Sequence, residues 1–168
     1  MTLVYPKLEG EALQAAMDLK NTLLARAMAE LRLPNSELIV RSIVPADLGF
    51  ANVNWGGINL ATANTNVAWV SANTITDNRF TGIYGWTNNE AVNEITQIEI
   101  NRKGSVARYW GVDSFRLWKH NTGFFTDPIV FDQNTLVTIN VQARATSTVA
   151  AFAPLGITVE KRGLLVNP

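Results

Sequence analysis

Pro34 marks a change in the spacing of the apolar residues along the chain. Before it, in LEGEALQAAMDLKNTLLARAMAELRLP, apolar residues recur at steps of three and four, which is typical of an apolar stripe on an α-helix. The members of this stripe are Leu13, Ala16, Met17, Leu23, Leu24, Ala27, Met28 and Leu31. Proline cannot continue a helix, so the sequence predicts one long helix over roughly residues 9–33, within an N-terminal segment of residues 1–34.

The predicted stripe needs a partner surface, because an isolated helix of this length is only marginally stable in water. One alternative is that the helix packs on its own domain. The other is that it forms an arm, which packs on a neighbouring subunit or on a larger assembly. We favour the arm, since Pro34-Asn35-Ser36 separates it cleanly from the rest of the chain and since Arg26 and Arg32 are able to reach acidic groups on a partner.

Residues 35–168 show short β-rich runs in place of helical periodicity. The candidate strands are Glu37–Val44, Asn66–Ala72, Arg79–Trp86, Glu94–Asn101, Ser105–Trp110, Ser114–Lys119, Pro128–Phe131, Thr135–Ala143, Thr148–Phe152 and Gly156–Lys161. Their spacing of about ten residues, with Gly- and Asn-rich turns between them, indicates an antiparallel sandwich or barrel rather than parallel βαβ units. The long segment Gly49–Asn66 is interpreted as an extended loop with one short strand, and long loops are often functional or interfacial.

The composition limits the classes of partner. Lys plus Arg and Asp plus Glu are 14 each, so no net field attracts nucleic acid or an anionic membrane. No run of about 18 apolar residues exists and the first residues carry no basic and apolar blocks, so we expect neither a membrane span nor a signal peptide. Only 17% of residues are charged, against roughly a quarter in typical domains, which suits a surface covered by protein partners. A large core would raise the apolar fraction in the same way.

Residues with catalytic or metal-binding chemistry are few. Cysteine is absent and His120 is the single histidine, so thiolate sites and histidine-rich metal sites are excluded. Asp127 and Asp132 in DPIVFD lack the spacing of a calcium loop and are interpreted as turn caps. Carboxylates in the β region that a glycosidase would use are Glu94, Glu99, Asp113 and Asp127. No phosphate-binding glycine motif is present, so we expect a non-enzyme without cofactor or metal.

Five tryptophans are spread over the β region: Trp55, Trp69, Trp86, Trp110 and Trp118. Together with the Asn-rich loops they suit a sugar-binding platform, although tryptophans of a β-sandwich more often lie in its core or at an interface. We place Trp86, Phe115, Ile139, Val141 and Ile157 in the core, because each lies in an apolar run of a β-rich segment.

Two segments carry a resemblance to a viral family: IYGWTNNEAVNEITQIEINRKGSVARYWGVDSFRLW and FTDPIVFDQNTLVTINVQARATSTVAAFAPLGITVEKRG. Their strand texture resembles the jelly-roll cement or decoration proteins of tailed bacteriophages, over about half of the chain. The resemblance implies a mainly β fold, a jelly-roll-like antiparallel sandwich over residues 35–168 that follows the N-terminal helix. It also implies a homotrimer without catalytic residues, made in the host cytoplasm, that binds the major capsid protein on the capsid surface of the virion.

Two other functions compete with this hypothesis. One is a glycan-binding receptor-recognition module of a phage or bacterial surface protein. The other is a small enzyme that uses carboxylates on a jelly roll, although a metal centre of that kind needs several histidines. For the favoured hypothesis, the candidate partner-binding residues are Leu13, Met17, Leu24, Arg26, Met28, Arg32 and Trp55. Direct contact with nucleic acid or membrane is not expected.

Overall fold

A computed structural model describes residues 8–51, 55, 58–88, 94–112, 121–150 and 152–164. Its elements are α1 (Gly10–Leu31), β1 (Leu38–Ser42), β2 (Ile58–Leu60), β3 (Asn66–Thr74), β4 (Arg79–Asn88), β5 (Ile95–Arg102), β6 (Ser105–Gly111), β7 (Thr122–Phe131), β8 (Leu136–Ala143), β9 (Ser147–Ala150) and β10 (Phe152–Lys161). Short 3₁₀ turns cover Asn35–Glu37 and Pro45–Leu48. The long helix ends at Leu31, two residues earlier than expected, because Arg32 adopts a left-handed conformation with φ 54°.

Two four-stranded antiparallel sheets form a sandwich, with orders β1-β10-β4-β7 (the first sheet) and β3-β8-β5-β6 (the second sheet). The short strands β2 and β9 form a separate ribbon. When the eight longer strands are numbered in chain order, the sheets read 1-8-3-6 and 2-7-4-5, which is the strand order of a jelly roll. The prediction of a mainly β, jelly-roll-like sandwich with one long N-terminal helix is confirmed.

Most predicted strands differ from the observed ones only at their ends. The segment Gly49–Asn66 does contain one short strand, β2. The predicted strand Thr148–Phe152 combines parts of two strands, since β9 ends at Ala150 and Phe152 begins β10. Pro154 lies inside β10, where a bulge between Leu155 and Gly156 accompanies it. The candidate strand Ser114–Lys119 lies outside the described residues.

Apolar side chains between the two sheets form the main core. Trp86, Ile139 and Val141 are fully buried there, as predicted. Phe115 lies outside the described residues. The prediction for Ile157 is wrong, because this residue is half-buried on the other face of β10, against the helix. Both faces of β10 are covered, so apolar residues on it do not by themselves show which face meets the sandwich interior.

A buried ionic network lies inside one end of the first sheet. Asp47, in the 3₁₀ turn, accepts bidentate hydrogen bonds of 2.7 Å from the Arg41 guanidinium on β1. Glu160 on β10 accepts hydrogen bonds from Arg41 Nε at 3.0 Å and from Arg79 Nε at 2.9 Å. The Val44 amide and the Thr158 hydroxyl also donate to Asp47. Two cations and two anions therefore compensate each other; Arg41, Asp47 and Glu160 are buried, and the Arg79 side chain is only 15% exposed.

Truncation of Ile139 to alanine tests the core. We expect Ile139→Ala to lower the free energy of unfolding by about 2–5 kcal/mol, because the side chain is fully buried and leaves a cavity. Leu136→Ala, on the same strand but 40% exposed, is the matched control and should cost less than about 1 kcal/mol. Urea unfolding measures both variants. Equal losses of unfolding free energy in the two variants would contradict the alternation of buried and exposed side chains along β8.

Removal of one carboxylate tests the ionic network. Asp47→Ala should lower the free energy of unfolding by about 3–5 kcal/mol, since it leaves the buried Arg41 with only one of its two carboxylate partners. Asp132→Ala breaks the more exposed ion pair with Arg26 and should cost less than about 1 kcal/mol. Thermal or urea unfolding compares the two. A loss at Asp47 as small as that at Asp132 would show that the network contributes little.

Candidate interaction surface

One face of α1 packs on its own domain. Its buried residues are Ala12, Ala15, Ala16, Leu19, Leu23 and Ala27. All of these except Ala12 belong to one cluster with Phe80, Tyr84, Val130 and Val159 on the outer face of the first sheet. Gly82 allows the close approach, because a Cβ atom at this position would collide with Leu19. In the single chain the helix therefore packs on its own sandwich, which is the less favoured of the two alternatives above.

A second apolar face of α1 remains open to solvent. We call it the exposed stripe, and its residues are Leu13, Met17, Leu24, Met28 and Leu31. At 3.6 residues per turn these five fall within an arc of about 60°, centred roughly 120° from the buried face. Leu13, Met17 and Met28 are 43%, 50% and 38% exposed. Leu24 and Leu31 are half-buried beside the helix–sheet cluster. Four candidate partner-binding residues therefore share one face.

The stripe predicted from the sequence merged these two faces. Ala16, Leu23 and Ala27 belong to the buried face, whereas Met17 and Met28 belong to the exposed stripe. The buried residues that the prediction missed are Ala12, Ala15 and Leu19. An alanine-rich row at helical spacing is the signal that identifies the face in close contact with a sheet.

Lys20 lies at the border of the exposed stripe, midway along its length. Its side chain is exposed, and its helical neighbours three and four residues away are Ala16, Met17, Leu23 and Leu24. None of these neighbours is acidic, so α1 offers this ammonium group no local ion pair. The exposed stripe is therefore an apolar row with the positive charge of Lys20 along one border, at mid-length.

Arg26 and Arg32 have different surroundings. Arg26 lies on the flank of α1 away from the exposed stripe and binds the Asp132 carboxylate of its own chain at 2.9 Å. This contact gives Arg26 a role within the domain. Arg32 is exposed at the end of the helix, in its left-handed conformation.

The candidate residue Trp55 lies at the rim of the main core. It is half-buried, with ring centroids 6.0 Å from Phe50 and 5.8 Å from Trp69. Trp69 and Trp86 are buried, and Trp110 packs on Phe125 at 4.5 Å. The described tryptophans therefore form a cluster of core aromatics rather than a flat, open platform. Trp118 lies outside the described residues.

Three of the carboxylates considered for catalysis or calcium, Glu99, Asp127 and Asp132, bind neighbouring side chains. Asp127 receives a hydrogen bond of 2.8 Å from Arg108, and Glu99 receives one of 2.6 Å from Asn101. Within the described residues, no group of three or more His, Asp or Glu side chains is placed to hold a metal ion. Asp113 and His120 lie outside the described residues.

A polar cleft of about 460 Å³ opens between α1 and the edge of the sandwich. Two arginines in its wall are held by backbone carbonyls, with Arg102 donating to Val130 at 2.9 Å and Arg108 donating to Asp127 at 2.6 Å. Arg108 also lies over the Phe125 ring, 5.1 Å from its centroid. These contacts fix the arginines as part of the wall and bridge the two sheets at their open edge.

Among the described residues, the pKa values of two groups, Arg41 and Tyr84, are clearly shifted. Burial alone would lower the pKa of the Arg41 guanidinium, but hydrogen bonds to Asp47 and Glu160 and their negative charges outweigh it, so the pKa is raised. Burial raises the pKa of the Tyr84 phenol, which lies beneath the helix. Both groups therefore keep their usual protonation state at neutral pH.

The fold and its surface define a class of protein, a jelly-roll sandwich that carries a helix on one sheet and leaves an apolar row of that helix open. Among the described residues, no helix has both the length and the apolar character needed to cross a membrane. No protein-family model matches the chain, and no curated protein matches it.

Paired truncations on α1 test the assignment of its two faces. Leu23→Ala should lower the free energy of unfolding by about 2–5 kcal/mol, because Leu23 is fully buried against the sheet. Met17→Ala should change it by less than about 0.5 kcal/mol, because half of Met17 is exposed. Urea unfolding of both variants makes the comparison. A larger loss at Met17 than at Leu23 would reverse the assignment.

Proposed function

We infer that the chain is a non-enzymatic structural protein of a virus, a cement or decoration protein that binds and stabilises a capsid shell. The observation that carries this proposal is the exposed stripe. Apolar side chains in a row on a rigid, well-packed helix form a surface suited to contact with another protein. The major capsid protein is the proposed partner, and the proposed location is the outer surface of the virion after synthesis in the host cytoplasm.

The charge at the middle of the exposed stripe favours a different protein over a second copy. A two-fold or three-fold contact through the stripe would bring Lys20 of each copy towards the others, and like charges at an interface are unfavourable. An apolar surface with a carboxylate opposite Lys20 complements the stripe instead. The stripe thus suits the shell, while self-association uses other surfaces of the sandwich.

The fold supports the proposed capsid function less strongly than the exposed stripe does. Jelly rolls occur in viral capsid domains, but also in lectins and enzymes, so strand order alone does not define a function. The resemblance of the two β segments to phage decoration proteins adds to the proposal and is the basis for a homotrimer. Sedimentation of the isolated protein checks this state, and a monomer at micromolar concentration would count against the trimer.

The alternative of a glycan-binding module gains nothing from the tryptophans. Trp69 and Trp86 are buried, and Trp55 and Trp110 are half-buried in the same aromatic cluster. A sugar that stacked on them would have to displace core contacts.

Charge substitutions on α1 test the proposed shell contact. Met17→Asp and Lys20→Glu should each lower binding to the shell of the encoding virus by about tenfold or more, since one introduces a charge into the apolar row and the other reverses the charge beside it. Co-sedimentation with shells measures binding, and thermal unfolding confirms that each variant is folded.

The matched control is Thr22→Asp, which places the same charge on an exposed position of the opposite helix flank. This variant should bind as the unaltered chain does. Binding of Met17→Asp at the unaltered level, in a folded protein, would overturn the assignment of the stripe to the shell.

A further inference from the structure

The outward face of the second sheet carries an unusual row of amide side chains. We call it the amide face, and its residues are Asn66, Gln97, Glu99, Asn140 and Gln142, with Tyr109 at one side. The strand register brings them together. Gln142 on β8 pairs with Asn66 on β3 and with Gln97 on β5. In the next row, Glu99 pairs with Asn140 on one side and Tyr109 on the other. Directly paired residues of antiparallel strands share a face.

A hollow of about 150 Å³ lies on this face, lined by Asn66, Gln97, Glu99 and Gln142. Small residues leave it open at both sides. Gly111 pairs with Gln97, and Ala68 pairs with Asn140. The hollow is smaller than the roughly 300 Å³ at the lower limit of common ligand pockets, so it fits one ring or branch of a longer ligand that lies along the sheet.

Hydrogen bonds hold the carboxylate in the hollow in a fixed orientation. Asn101 donates to Glu99 Oε1 at 2.6 Å, and Asn140 donates to the same oxygen at 3.4 Å. Both of these contacts go to Oε1 of the carboxylate. The hollow is thereby lined by planar groups that donate and accept hydrogen bonds, and none of its four lining residues is cationic.

Tyr109 provides an apolar surface beside these polar groups. Its side chain is 58% exposed, the largest exposure among the large hydrophobic residues of the described chain. An open aromatic ring next to several amides and one carboxylate is the chemistry that recognises a sugar. The ring contacts the C–H face, while amides and carboxylate bind the hydroxyl groups. An anionic ligand would meet the Glu99 carboxylate without a cation to compensate it.

We propose that the amide face binds a neutral oligosaccharide. One sugar ring stacks on Tyr109, and a neighbouring unit places its hydroxyl groups in the hollow, against Gln97, Gln142 and Glu99. The amide face lies on the opposite side of the sandwich from α1, so it stays accessible when the exposed stripe is covered. This proposal does not depend on binding to a shell.

Titration calorimetry of the full chain tests the proposal with neutral oligosaccharides of four to six units, from the cello-, chito-, manno- and galacto-series. At least one should bind with a dissociation constant of millimolar or tighter. Tyr109→Ala should weaken that binding by about tenfold, and Gln142→Ala by about three- to tenfold. Tyr109→Phe retains the ring and should stay within about threefold of the unaltered protein.

The matched control is Phe124→Ala, which removes an exposed aromatic ring from the first sheet and should leave sugar binding unchanged. A sulfated or sialylated oligosaccharide should bind more weakly than its neutral counterpart. The proposal is overturned if no oligosaccharide binds at millimolar concentration. It is equally overturned if Tyr109→Ala and Gln142→Ala, both folded by circular dichroism, bind as tightly as the unaltered chain.

Discussion

The paired guanidinium and carboxylate groups of Arg41, Arg79, Asp47 and Glu160 determine how one end of the sandwich closes. Arg41, Asp47 and Glu160 are buried and Arg79 is mostly so, and the mutual attraction of the four charges offsets their desolvation only when all of them are in place. The network connects β1, β4 and β10 with the 3₁₀ turn, so the edge strand β1 is joined to the centre of its sheet by side chains as well as by its backbone ladder. Loss of any one of the four groups therefore leaves a partner charge uncompensated at this end of the domain.

Helix α1 depends on that sheet, and the proposed functions depend on the position of the helix. Because Gly82 and the alanine row allow a close approach, a narrow face of α1 suffices for packing, and the remaining apolar residues are left for another surface. The two sheets then differ in character. One is covered by a helix with an apolar outer row, and the other presents amides and a tyrosine to solvent. A single small domain thus has two chemically distinct sides.

The class of the fold could be predicted from the sequence, but the long-range pairings and the faces on which some residues lie could not. The change of period at Pro34 and the β-rich runs predict a helix followed by a sandwich, and Trp86, Ile139 and Val141 are recognisable as core. The position of Ile157 outside the main core is not recognisable in this way, since both faces of β10 are covered. The burial of Glu160 depends on Arg41, 119 residues away, and no local pattern reports such a pairing. The amide face likewise exists only through the register of four strands, so its residues are scattered and inconspicuous in the sequence.

The pairing of β1 with β10 has a consequence for synthesis on the ribosome. In the described part of the chain, β10 is the only ladder partner of β1, although the two strands lie near opposite ends of the sequence. At roughly 5–20 residues per second, the 119 residues from Arg41 to Glu160 take about 6–24 s to translate. Throughout that interval the Arg41 side chain has Asp47 within reach but not Glu160, and β1 waits as an unpaired strand. Its inward-pointing arginine makes it a poor template for another chain, which protects the nascent protein until β10 emerges.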